Sequence, residues 1–172
     1  SVEEFGILEL FVTSVAIFAL ISTFQLDTAF LRFYSQLNHK DDIYKFYSSG
    51  LNSIFILLFP FCIVSYFILK PFFIETPDFV ILGVLVLIPV KSLLGYMTTL
   101  FRVTFNRSLF VKINLINIIG IPVLSVVLLL LKHGINGIVF STIFLNILSL
   151  LVTILITRKH YIFSIDKKAI KE

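Results

Sequence analysis

The sequence predicts an all-α integral membrane protein with five transmembrane helices. Its 172 residues are 58% hydrophobic, their mean hydropathy is +1.04, and only 14% of them are charged. A soluble domain usually has about 25% charged residues, so this chain has too few charges to coat a surface in water. The apolar residues also fall into five long segments, and the basic residues alternate between the links that join them.

Each apolar segment is long enough for one membrane crossing. A transmembrane helix needs about 20 mostly apolar residues to cross about 30 Å of hydrocarbon. The segments 5–26, 51–69, 79–100, 113–131 and 135–156 meet this length. They predict a membrane bundle over residues 1–157, followed by a basic cytoplasmic linker at 158–172. Phe30, Phe33 and Leu37 follow helical spacing, so the first helix is expected to continue past the membrane.

The links between the segments predict orientation. One side of the membrane collects only Lys70 and Lys132. The other side collects eleven basic residues: Arg32, Lys40, Lys45, Arg102, Arg107, Lys112, Arg158, Lys159, Lys167, Lys168 and Lys171. Because cytoplasmic loops are rich in Lys and Arg, the N-terminus is predicted outside and the C-terminus in the cytoplasm. An N-terminus outside the cell predicts one further helix upstream. The net charge of +4 is explained by the membrane orientation, so it does not indicate a nucleic acid as a partner.

Lys91 is the basic residue left out of that count, because it falls inside the third segment. It is predicted about 18 Å below the outer end of its helix, near the bilayer midplane. A charge at this depth costs at least about 2.5–3.5 kcal/mol, so it normally faces protein or water. Pro89 favours a kink just before it. Gly95, Thr98 and Arg102 extend the same face. The face predicts either a cationic cavity wall for an anionic substrate, or a lysine that snorkels or pairs with a carboxylate in a helix missing from this segment.

Other polar residues within the segments leave alternatives open. Glu9 is predicted about 12 Å shallower than Lys91, where it either binds a cation, helps to gate the outer mouth, or simply reaches water. Six residues form polar faces on the last two helices, and these faces either hold helices together or bond sugar hydroxyls: Asn114, Asn117, Thr142, Asn146, Ser149 and Thr153.

Catalytic motifs are missing from the sequence. It has no P-loop, no HExxH and no nucleophile elbow. His39, His133 and His160 lie in separate links without metal-ligand spacing, and Cys62 is the only cysteine. A transporter without catalytic residues, metal or cofactor is therefore expected rather than an enzyme.

Several short motifs resemble those of the polysaccharide flippases (Wzx type) of the multidrug/oligosaccharidyl-lipid/polysaccharide exporter superfamily, whose fold is MATE-like. The similarity covers nearly the whole chain and lies in the order and spacing of four stretches: Glu4-Phe5-Gly6, residues 28–34, residues 101–107 with Asn114, and residues 134–138. The resemblance implies helices two to six of a bundle of about 12–14 helices in two similar halves.

The resemblance also implies a function and a substrate. The family moves undecaprenyl-diphosphate-linked oligosaccharides, such as O-antigen repeat units, across the inner membrane by alternating access. Lys91 and Arg102 are then expected to line the substrate cavity, while Arg32 and Arg107 attract the head group at the cytoplasmic mouth. Other membrane proteins of polysaccharide assembly are possible partners.

Three rival functions remain at this stage. A multidrug or cation antiporter of the same superfamily needs intramembrane acids, of which this segment has only Glu9. A membrane-embedded polymerase or glycosyltransferase needs long outer loops with clustered acids or arginines. A membrane anchor has no need for Lys91 at the midplane.

Overall fold

The computed structural model describes residues 2–34, 40–73, 76–104 and 107–158, without the side chains of residues 2, 40, 41 and 107. These residues form α1 (Val2–Ser22), α2 (Leu26–Tyr34), α3 (Lys40–Leu69), α4 (Asp78–Val103), α5 (Arg107–Leu130) and α6 (Gly134–Thr157), with a 3₁₀ turn at Lys70–Phe73. No strand occurs in the described ranges. All helices except α2 are long and apolar enough to cross a membrane. The predicted all-α membrane fold is therefore confirmed.

The first helix does not continue past the membrane as predicted. It ends at Ser22, because Phe24 and Gln25 adopt left-handed φ angles of 48° and 56° that interrupt a right-handed helix. The hydroxyls of Ser22 and Thr23 bond back to carbonyls three residues earlier. The helical spacing around Phe30 instead belongs to the separate helix α2. Leu37 lies outside the described residues.

Helix α3 begins at Lys40, eleven residues before the predicted segment at 51. Its 30 residues span about 45 Å at helical rise, whereas the hydrocarbon core is about 30 Å thick. An upright crossing would leave about ten residues of α3 outside the hydrocarbon, and the polar stretch before Leu51 is the part suited to that position.

Helix α4 forms the centre of the bundle and contacts every other helix. Near its N-terminus it packs on α1 and α6 through a cluster that includes Phe11, Val84 and Val139. Near its C-terminus it packs on α2 and α3 through a cluster that includes Phe30, Tyr47 and Tyr96. Prolines lie inside α3, α4 and α5, and each helix continues through its proline.

The bundle has two chemically different ends. At the basic end, α1, α4 and α6 finish, α3 and α5 begin, and α2 lies beside them. This end carries Arg32, Lys45, Arg102 and Arg158 in the described part of the chain. At the opposite end lie the N-terminus of α1, the 3₁₀ turn and the short α5–α6 link, with Lys70 and Lys132.

Candidate functional site: the α4 cleft

One face of α4 changes from buried to open along its length. Val80 and Val84, on the part nearest the opposite end, are 0% exposed. Lys91 on the same face is half-buried, and Gly95 and Arg102 are exposed. The face is thus covered by protein at the opposite end. Toward the basic end Gly95 and Arg102 are exposed, while Thr98 between them stays buried at 7% exposure. We name this opening the α4 cleft, defined by Lys91, Gly95, Thr98 and Arg102.

Helices α1 and α6 close the cleft at the opposite end. A Cβ atom added to Gly83 would lie 2.9 Å from Val139, 3.1 Å from Ile143 and 3.2 Å from Phe11. The missing side chain at Gly83 therefore lets α1 and α6 approach α4 from two sides. A Cβ atom added to Gly95 would meet nothing within 4 Å. The two glycines mark the closed and the open part of α4.

The end of α1 is held against α4 beside the cleft. The hydroxyls of Ser22 and Ser92 form a hydrogen bond between the two helices. Immediately after this contact α1 ends and the chain turns into α2. The α1 wall of the cleft therefore stops close to the level of Lys91.

Lys91 lies at the middle of α4, thirteen residues after Asp78 and twelve before Val103. This agrees with a position near the bilayer midplane, and a lysine there normally faces protein or water. Among the described residues, no carboxylate forms an ion pair with it. Within the described part of the chain, Lys91 is thus a cation without an ion-pair partner, and such a cation attracts an anionic ligand group.

Arg102 lies at the wide end of the cleft. Its guanidinium carbon lies 4.6 Å from the centre of the Phe110 ring, a cation–π contact between the end of α4 and the first turns of α5. Thr98, between the two cations, donates its hydroxyl to the Gly95 carbonyl at 3.0 Å. Lys91 and Arg102 are thus the cationic groups that the described part of α4 presents along this face.

The other predicted site residues lie elsewhere. Arg32 is exposed on α2, and the side chain of Arg107 lies outside the described residues. Glu9 is exposed on α1, which runs parallel to α4 with Phe11 beside Gly83. Glu9 lies two residues before Phe11 and Lys91 eight residues after Gly83, so the two are separated by roughly 15 Å along the bundle axis and the structure does not bring them together.

The predicted polar faces of α5 and α6 take part in local bonding. The side-chain amide oxygen of Asn117 accepts a hydrogen bond of 3.0 Å from the Ser149 hydroxyl, across α5 and α6. Four other side chains donate to backbone carbonyls one turn earlier in their own helices: Asn114, Thr142, Asn146 and Thr153. In this arrangement Asn117 contributes to helix association, which is a common use of such residues in membranes.

Three interhelical contacts were not predicted from the sequence. They are the Ser22–Ser92 bond, a 2.5 Å bond between the hydroxyls of Ser125 and Ser141, and a bond from the Tyr96 hydroxyl to the Tyr47 carbonyl. Small hydroxyl residues at helical spacing are the signal that could have found the first two. The third depends on Gly50, which leaves the space that the Tyr96 hydroxyl occupies.

Comparison with known protein families identifies the family of this chain. The sequence matches the family described as "Polysaccharide biosynthesis protein" over residues 1–172. The chain belongs to this family. No curated protein and no solved structure matches it. The resemblance to polysaccharide transport proteins is confirmed at the level of the family, and this polysaccharide biosynthesis protein is a multi-pass membrane protein with a role in polysaccharide biosynthesis or export.

Proposed function

We propose that this chain is part of a flippase that moves lipid-linked oligosaccharides across the inner membrane by alternating access. The expected substrate is an undecaprenyl-diphosphate-linked repeat unit of a cell-surface polysaccharide. The observation that carries the proposal is the α4 cleft, in which Lys91 lies at the middle of a transmembrane helix on a face that is open toward one end. Membership in the polysaccharide biosynthesis family, whose members are generally transporters, supports it.

The cationic residues of the α4 cleft suit the transport of a charged head group. A diphosphate and several sugars cannot cross hydrocarbon unaided, because burying unpaired charges and polar groups is very costly. A cationic wall lowers that cost by attracting the diphosphate, while the lipid tail stays in the bilayer. Lys91 at mid-depth and Arg102 at the wide end would give the diphosphate two successive contacts during its passage.

The direction of opening follows from the proposed orientation. The basic end carries most of the described Lys and Arg residues in the links, so the positive-inside tendency places it in the cytoplasm. The cleft then opens toward the leaflet in which a lipid-linked precursor is made. Arg32 and Arg107, at the same end, would attract the diphosphate before it enters.

Complementation tests the proposal. In a strain that lacks its own flippase, the variants Lys91→Ala and Arg102→Ala of the intact protein are expected to reduce surface polysaccharide at least tenfold. Lys70→Ala is the matched control, because Lys70 is an exposed cation at the opposite end, over the Tyr66 ring. Expression of each variant is measured in the membrane fraction. Normal polysaccharide with both cleft variants would refute the assigned roles.

A further inference from the structure

A second cavity lies outside the α4 cleft, between α2, α3 and α4 near the basic end. Its volume is about 250 Å³, and its lining includes Ala29, Phe46, Ser49, Ser53 and Tyr96. The residues of the α4 cleft do not line it: Tyr96 points toward α3, whereas Lys91 and Gly95 lie on another face of α4. The cavity is therefore a separate site, and its interpretation does not depend on the proposed flippase activity.

The Ser49 hydroxyl is the unusual group in this cavity. Three other serines of α3 donate to the carbonyl one turn earlier: Ser48 at 2.7 Å, Ser53 at 3.0 Å and Ser65 at 2.8 Å. Ser49 is only 5% exposed, yet its hydroxyl makes no hydrogen bond to a described residue. The Ser49 oxygen is open to the cavity, so its hydrogen-bond partner comes from whatever fills the cavity, and either water or a polar ligand group fits there.

The neighbouring hydroxyl extends this polar wall. Ser53 lies one turn after Ser49 on the same face of α3, and it donates to the Ser49 carbonyl. Its oxygen keeps free lone pairs, while the Ser49 hydroxyl can both donate and accept. The two side chains therefore suit a ligand that carries more than one hydroxyl. Ala29 and Phe46 cover the remaining wall with apolar surface.

The depth of the cavity indicates a membrane-surface ligand. An upright crossing leaves about ten residues of α3 outside the hydrocarbon, which puts Ser49 and Ser53 near the level of the lipid head groups. Lys45 lies one turn before Ser49 and is exposed. An ammonium group thus lies on the water side of a hydroxyl-lined cavity, at the basic end of the bundle.

We propose that this cavity binds the head group of an anionic phospholipid with a hydroxylated head group, of which phosphatidylglycerol is the simplest. Lys45 pairs with the phosphate, and Ser49 and Ser53 bond the hydroxyls of the head-group glycerol. The carbon atoms of that glycerol pack on Ala29 and Phe46. The acyl chains remain outside, in the bilayer.

Native mass spectrometry of the intact protein tests this site. The purified protein is titrated with phosphatidylglycerol, with phosphatidic acid, which lacks the head-group glycerol, and with zwitterionic phosphatidylethanolamine. Phosphatidylglycerol is expected to bind more tightly than either. Ser49→Ala should weaken it roughly 3- to 10-fold, the range of one hydrogen bond, without affecting phosphatidic acid. Equal binding of the three lipids would overturn the proposal.

Two further variants separate the site from general effects on folding. Ser65→Ala removes a hydroxyl from the same helix, about 18 Å from Ser53 along its axis, and is expected to leave lipid binding unchanged. Lys45→Gln, at an exposed position, should weaken both anionic lipids together. If Ser49→Ala and Ser65→Ala behave alike, or if Lys45→Gln has no effect, the assigned contacts are wrong. Competition by soluble glycerol 3-phosphate at the affinity of the lipid would overturn the assignment to a membrane lipid.

Discussion

Two glycines on neighbouring helices illustrate how much a single missing side chain can decide. At Gly50 an added Cβ atom would overlap the hydroxyl and ring of Tyr96, whose hydroxyl bonds to the Tyr47 carbonyl at 3.1 Å. At Gly95 an added Cβ atom would meet open space. Gly50 therefore allows close packing of α3 on α4, whereas Gly95 keeps the α4 cleft wide.

Gly50→Ala is expected to lower the free energy of unfolding by about 1–3 kcal/mol, because overpacking displaces the Tyr96 hydroxyl from its partner. Equilibrium unfolding in mixed detergent micelles measures the change. Gly6→Ala is the matched control, since the space around Gly6 is open and no contact is lost there. Equal stability of the two variants would show that the Tyr96 contact contributes nothing.

Gly95→Leu is expected to abolish transport while leaving stability almost unchanged. A Cβ atom at this position meets nothing within 4 Å, so the larger side chain is expected to extend into the open space beside Lys91. Complementation and unfolding are measured on the same variant. Gly6→Leu, an equally open position on α1, controls for the added bulk. Full transport by Gly95→Leu would mean that substrate does not pass this face of α4.

At the scale of elements, the turn between α1 and α2 is a point of backbone strain. Gln25 has a φ of 56°, and a left-handed conformation costs a residue with a Cβ atom roughly 1–2 kcal/mol. The turn nevertheless directs α2 onto α3 and α4, where Phe30 contacts the rings of Phe46, Tyr47 and Tyr96. Aromatic packing of α2 therefore compensates for the strain.

Gln25→Gly is expected to stabilise the protein by about 0.5–1 kcal/mol, because glycine adopts positive φ without steric cost. Thr28→Gly, inside α2, is the control and should destabilise by about 0.3–0.5 kcal/mol through lost helix propensity. Both changes are measured by equilibrium unfolding. If the two substitutions destabilise equally, the left-handed turn carries no strain that a glycine at this position can relieve.

Helices α5 and α6 gain little free energy from apolar contacts with each other, because lipid offers the same contacts. Hydrogen bonds between their hydroxyl groups are therefore expected to contribute to their association. A double-mutant cycle with Ser125→Ala and Ser141→Ala is expected to give a coupling of about 0.6 kcal/mol, typical of such bonds in membranes. Their 2.5 Å contact is the physical basis. The pair Ser125→Ala and Ser65→Ala, which belong to separate hydrogen bonds, should be additive. Additivity in both cycles would contradict the Ser125–Ser141 coupling.

At the scale of the whole molecule, the proposed orientation places the basic end in the cytoplasm. In a Cys62→Ala background, a membrane-impermeant maleimide is expected to label His133→Cys in intact cells. Arg158→Cys should be labelled only after permeabilisation, because it lies at the other end of α6. The reverse pattern would invert the bundle and make the α4 cleft open outward.

The sequence predicted the larger features of the bundle and the position of Lys91 within its helix correctly. Hydropathy and length are local properties, so five apolar segments directly indicate five membrane helices. The sequence failed at the α1–α2 turn, because Phe24 and Gln25 are not turn-forming residues. It also missed the early start of α3, since residues 40–50 are not apolar enough to be read as part of a span.

The sequence by itself determined how many helices are able to cross the membrane, how their charges are distributed, and that a lysine lies at the middle of one of them. Only the tertiary structure decided that α1 and α6 close over one part of α4 and leave Lys91 on an open face. The physical reason is that lipid and protein interior are equally apolar. A transmembrane helix such as α1 is apolar on every side, so its sequence does not distinguish the face that packs on protein from the face that meets lipid.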